Sequence, residues 1–236
     1  MTATVTTTNP VRSDVLDSHA ERESRRTSRS WAFAGAAAGL CGIGTVITSS
    51  LVDVVYQEQY ATTDHGVAAA LQDKATAIFA FHAFAVLGAL LLVVFAAGLY
   101  RRLRAGMADS IAPFVAGAGL VGTAVVLIMG SGLDTEFSTG LSDEVSVSDS
   151  SAAMFNHWLG TIPWLFTLVG LTGLALYAAA RRGSVPRWIG RTGLVLGGLT
   201  VLFGISPLQY MSGVPAVLML VAVGLGFALG DRRYRA

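Results

Sequence analysis

The feature that most constrains this chain is the recurrence of apolar runs as long as a bilayer is thick. One reads FHAFAVLGALLLVVFAAGLYRRL, from Phe81 to Leu103, and stops at paired arginines. A helix rises about 1.5 Å per residue, so about 20 such residues cross the hydrocarbon layer. Six stretches reach or approach that length, near 31–52, 76–100, 111–133, 158–180, 192–210 and 214–230. The last two are short, and Pro207 is expected to end the fifth. Composition agrees: 53% of residues are hydrophobic and only 13% charged, against roughly 25% charged in soluble domains.

The basic residues sort the connections. All 16 Lys and Arg except Lys74 fall in the N-terminal tail, the 101–104 and 181–191 connections, or the tail after residue 230. Six crossings put these four places on one side. The positive-inside rule makes that side the cytoplasm, in a cell membrane, with both termini inside. Residues 1–30 are polar and lack a cleavable apolar signal, so they read as a disordered cytoplasmic tail, with 31–230 as the membrane domain and 231–236 as a short C-tail. The expected fold is all-α, a polytopic bundle of six transmembrane helices arranged as three helical hairpins. The outer connections are acidic. The second of them, STGLSDEVSVSDSS, reads as a mobile surface loop, and DHGVAAALQDKATA as an outward extension of the second helix.

Similar segments suggest an internal repeat under the hairpins, with convergence on Gly-, Leu- and Arg-rich membrane-helix composition as the alternative. AGLCGIG (38–44), AGLVGTA (118–124) and TGLVLGG (192–198) open the odd helices; GLYRR, ALYAAARR and ALGDRR close the even ones. Gly35–Gly39, Gly193–Gly197 and Gly226–Gly230 are each GxxxG, a spacing that lets helix backbones approach closely in lipid.

Four polar residues gather at the expected outer ends. Asp53 closes the first helix and Asp134 the third; His82 lies just inside the second, and His157 begins the fourth. Cys41, Thr45, Ser49 and Asp53 recur every fourth residue and form one stripe. Ionisable groups in membrane segments are costly and point to function, so Asp53, His82, Asp134 and His157 form the candidate ligand-binding or proton-relay set. His82 and His157 could also ligate a divalent metal or a haem iron, although no HExxH, CxxC or paired-His motif accompanies them. The first functional expectation is an integral membrane protein that binds a small ligand, metal ion or membrane partner at an outer polar pocket. The alternatives are a His-ligated haem or metal oxidoreductase or hydrolase, and a small transporter or proton-coupled carrier acting as an oligomer. The expected partners are the lipid bilayer and a second copy or another membrane protein. The absence of basic surface beyond the membrane-flanking arginines argues against nucleic acid. No Walker, dinucleotide or serine-elbow motif is present, so the chain carries no complete catalytic signature.

Overall fold

A computed structural model describes residues 29–60, 63–142 and 147–231. Among these residues there are helices and no strand. The main helices are α1 (Ser30–Leu51), α2 (Val67–Gln72), α3 (Ala75–Gly106), α4 (Ala112–Gly130), α5 (Asp134–Ser142), α6 (Asp149–Thr161) and α7 (Thr167–Arg181). They are followed by α8 (187–204), which contains a π turn at Gly193–Gly197, and by α9 (213–230), which ends in a π turn at Gly226–Gly230. The expected disordered tail at 1–30 falls almost wholly outside the described residues, as does the C-tail.

Five helical segments are long and apolar enough to cross a membrane: Ser30–Leu51, Ala75–Gly106, Ala112–Gly140, Asp149–Arg181 and Gln209–Gly230. The segment expected at 192–210 is not among them. Its helix starts earlier, at Arg187, and stops at Gly204, before Pro207. Arg187 and Arg191 dilute its apolar character, and 18 residues give only about 27 Å.

Neighbours in the bundle follow α3, α4, α7, α8 and α9 to α1, which returns to α3. The core of this ring is aliphatic and aromatic, with Leu92, Phe95, Leu120, Phe166, Leu176 and Leu220 fully buried. The outward faces are equally apolar: Leu40 is 60% exposed, Phe114 70% and Leu202 55%. A soluble surface would not carry such a continuous apolar girdle, so these helices are compatible with a multi-pass membrane protein.

The GxxxG pairs are engaged within the chain. A Cβ on Gly173 would lie 2.5 Å from the Gly193 carbonyl oxygen and 2.8 Å from the Gly197 Cα, so α7 and α8 cross backbone to backbone. On the other side of the ring, a Cβ on Gly224 would meet the Ala36 nitrogen at 2.3 Å, and one on Gly39 the Val221 nitrogen at 2.7 Å. Gly226 and Gly230 make room for the Trp188 ring.

At the end of the bundle away from the arginines, short helices form a cap with its own core. Val54, Val67, Leu71, Ile78, Phe81 and Phe155 are buried there. Phe137 of α5 stacks on Phe155 of α6, with ring centroids 4.3 Å apart. The stretch expected to be a mobile loop is therefore partly helical, in α5 and α6; residues 143–146 lie outside the described residues. The expected extension of the second helix is instead a separate helix, α2, followed by a turn at Asp73 and Lys74. The fourth helix is likewise divided: α6 ends at Thr161, and a 3₁₀ turn at Ile162–Trp164 holds Pro163 before α7 begins. Proline has no N–H to continue the α-helical ladder, which accounts for the break.

At the opposite end, Arg102 clasps the chain. Its Nε donates to Asp231 Oδ2 at 2.7 Å, and its Nη2 donates to Asp231 Oδ1 at 3.0 Å and to the Ser184 carbonyl at 2.9 Å. Arg29 Nη1 donates to the Ala228 carbonyl at 3.1 Å, in the π turn of α9. Arg102, expected only to anchor topology, also closes the ring.

Candidate functional site

The four candidate residues fall into two pairs. The first pair is His82 with Asp134. Helix α4 ends at Gly130, Ser131 is its C-cap, and α5 begins at Asp134. Helix ends leave carbonyls without partners inside the helix. Here Trp158 Nε1 donates to the Gly130 carbonyl at 3.2 Å, and His82 Nδ1 lies 3.2 Å from the Ser131 carbonyl. A carbonyl can only accept, so Nδ1 carries the ring proton and Nε2 presents a lone pair in the neutral imidazole. The same Nδ1 lies 3.5 Å from Asp134 Oδ2. The Asp134 side chain is fully buried, and neither carboxylate oxygen has a hydrogen-bond partner among the described residues. Burying a carboxylate without donors is costly, and among the described residues only Asp134 has buried side-chain oxygens without a hydrogen-bond partner.

The second pair is Asp53 with His157. Asp53 does not close α1, which stops at Leu51; it sits at the start of the 3₁₀ turn Val54–Tyr56. This turn is held by Asn156, which is fully buried. Its Oδ1 accepts from the Val55 N–H at 2.9 Å, and its Nδ2 donates to the Val52 carbonyl. Asn156 therefore satisfies the chain where α1 ends, and it places the adjacent His157 beside Tyr56. The two rings meet edge to face with centroids 5.4 Å apart.

Asp53, Tyr56, His157, Trp164 and Tyr210 line a groove of about 530 Å³, floored in part by Ser49 and Gly160. Ser49 and Ser50 of α1 supply one wall, but their hydroxyls are engaged: Ser49 Oγ donates to the Leu159 carbonyl at 3.3 Å, and Ser50 Oγ to the Val46 carbonyl at 2.9 Å. Asp53 Oδ1 accepts from Gln57 Nε2 at a long 3.5 Å. Desolvation in the groove raises the Tyr56 phenol above its ordinary pKa, and the neighbouring Tyr210 pushes it the same way. A carboxylate among electron-rich rings suits a cationic or hydrogen-bonding ligand.

His157 and Thr161 also line a second groove of about 490 Å³, whose other walls include Val126, Met129, Met154 and Leu165. Among the described residues, no group of three or more His, Cys, Asp or Glu side chains is placed to hold a metal ion. His82 and His157 each have a different acidic neighbour.

Four residues at the end away from the arginines were not among the sequence candidates. Asn156 was noted only as a neighbour of His157. Asp149 reads in the sequence as one more solvated acid, yet its carboxylate accepts from the Gly66 and Ala68 N–H groups at 2.8 and 2.9 Å and so caps α2, with His65 Nδ1 3.3 Å away. Tyr56 and Tyr210 read as belt residues and prove to be groove walls. The nearest signal for any of these is the acid–serine run before α6, where Ser148 caps the helix through a bond from the Ser151 N–H.

Among the described residues, these features define a helical protein with five helices long and apolar enough to cross a membrane and a cap at the end away from the arginines. Comparison with known proteins adds no relative: no family model matches, and neither a curated protein nor a solved structure is similar to the chain.

Proposed function

We propose that this chain is a multi-pass protein of the cell membrane that binds a small ligand in the groove at its outer end. In this reading α8 is a sixth, short crossing, the bundle is three hairpins in tandem, and both termini lie in the cytoplasm. The arrangement of basic residues supports that orientation, since every described arginine flanks the end opposite the groove. One observation carries the binding reading. Asp53 and Tyr56 from one turn, His157 from α6 and Tyr210 from the turn before α9 converge on one groove of ligand size.

Orientation is tested by single cysteines at Glu136 and Arg182, both exposed, with the buried Cys41 as silent background. An impermeant maleimide is expected to label Glu136→Cys in intact cells and Arg182→Cys only after lysis; the reverse pattern overturns the topology. Binding is tested by the thermal shift of the purified protein against panels of small amines, carboxylates and divalent metals. A shift that Asp53→Ala removes supports the groove, and no shift with any panel, together with no retained membrane lipid, overturns it.

The contact of half-buried His82 with buried Asp134 favours a second reading, a proton-coupled carrier. Against it, the buried polar side chains of the bundle interior are hydroxyls spent on backbone carbonyls. Thr45 donates to Cys41, Thr123 to Gly119 and Thr172 to Ala116, at 2.9, 3.0 and 2.8 Å. They leave no relay between Asp134 and the Arg102–Asp231 clasp among the described residues.

A further inference from the structure

The two outer grooves share a wall, and their chemistry is ordered. The first holds the Asp53 carboxylate and the rings of Tyr56, Trp164 and Tyr210. The shared wall is His157 and Thr161. The second is built from Val126, Met129, Ile162 and Leu165. On the shared wall, Thr161 Oγ1 is spent on the His157 carbonyl at 2.8 Å. The His157 ring has no hydrogen-bond partner among the described residues. Its N–H is therefore the free donor between an anionic aromatic site and an apolar trough.

Resting on the groove reading above, we propose that the two grooves together seat one membrane phospholipid with a primary-ammonium headgroup. The ammonium lies against Asp53 and the aromatic faces, the phosphate accepts from His157, and an acyl chain lies along Met129 and Leu165. Depth agrees with this order. Tyrosine and tryptophan favour the headgroup level of a bilayer, which is where the first groove's walls place it. From Met129, Val126 lies one turn back along α4, and Leu165 lies beyond Thr161 toward α7, so the apolar trough runs toward the hydrocarbon. Charge also selects the occupant: the first groove holds a carboxylate and no Lys or Arg, so it favours an ammonium over an anionic head. A soluble amine would leave the trough empty, and a free fatty acid would set its carboxylate against Asp53.

The test is native mass spectrometry of the full chain in non-ionic detergent, titrated with phosphatidylethanolamine or phosphatidylglycerol of matched chains. The ethanolamine lipid is expected to be retained about tenfold more strongly, a preference of the size that one charge-assisted contact supports. Asp53→Asn should abolish the preference. His157→Ala should weaken both lipids, and Met129→Trp, which fills the trough from an exposed position, should weaken both without changing their ratio. Folding of each variant is checked by its thermal transition. Because Asp53, His157 and Met129 are all exposed, three independent substitutions keep the test open if one misfolds. Equal retention of the two lipids, or a preference unchanged by Asp53→Asn, overturns the proposal. A thermal shift with soluble ethanolamine but no lipid retention overturns the lipid and leaves the groove reading standing. If neither ethanolamine, nor either lipid, nor the panels above bind, both fall.

Discussion

The two ends of the bundle each bury one aspartate, and they provide for it in opposite ways. At the arginine-rich end, both oxygens of Asp231 receive donors from Arg102, which also reaches the Ser184 carbonyl. At the capped end, Asp134 is more deeply buried and neither oxygen receives a hydrogen bond among the described residues. The first aspartate holds its surroundings together. The second is buried without such donors, three residues before Phe137, whose ring stacks on Phe155. A buried charge thus reports on architecture only through its donors.

The largest expected effect breaks the saturated end. Arg102→Ala leaves Asp231 buried without its cation and should lower stability by about 3–5 kcal/mol, read from thermal or denaturant unfolding in detergent. A paired replacement, Arg102→Met with Asp231→Leu, should recover much of that loss. If Arg102→Ala costs no more than a surface substitution, the clasp is not structural. Next comes the capped end's own hydrogen-bonding centre. Asn156→Leu strands the Val55 N–H and the Val52 carbonyl and should cost about 2–3 kcal/mol. The expected signature is faster amide exchange at 52–57 while the Arg102 end stays protected. The sharpest contrast is smaller. Asp134→Asn should change stability by no more than about 1 kcal/mol, with a stabilising sign, because it removes a charge that has no donor. A large loss there would show that His82 supports the carboxylate as an ion pair, and the contrast between the ends would collapse. Asp149→Ala should have the smallest effect, confined to faster exchange at Gly66 and Ala68 and little change in the midpoint of unfolding.

What the sequence made legible follows from how far apart the determinants lie along the chain. Apolar run length and arginine placement are local properties, and they were enough to anticipate an all-helical chain with membrane-length helices. The interruption at Pro163 was half visible, since a proline can begin a helix as well as end one. The shortfall at α8 was concealed because Arg187 and Arg191 read as a connection, whereas the helix absorbs them into its first turns. The grouping of polar residues was illegible for a different reason. Asp53, His82, Asp134 and His157 share an end of the expected bundle, but which one faces which depends on the rotation of each helix about its axis. That rotation is set by close backbone crossings such as Gly173 on Gly193 and Gly224 on Ala36. Asp149 capping a helix 81 residues away along the chain has no periodic signature.

The ring order has a consequence for how the protein is made. Helix α9, which follows the other ring helices along the chain, fills the place between α8 and α1, and its Gly224 packs on the backbone of Ala36. Until α9 has been made, the face of α1 that carries Gly35 and Gly39 waits without that partner. Arg102 meets Asp231, which follows α9, so the clasp cannot close before α9 has been made. Nascent chains truncated before α9 should therefore be the species that the cell's quality control sees.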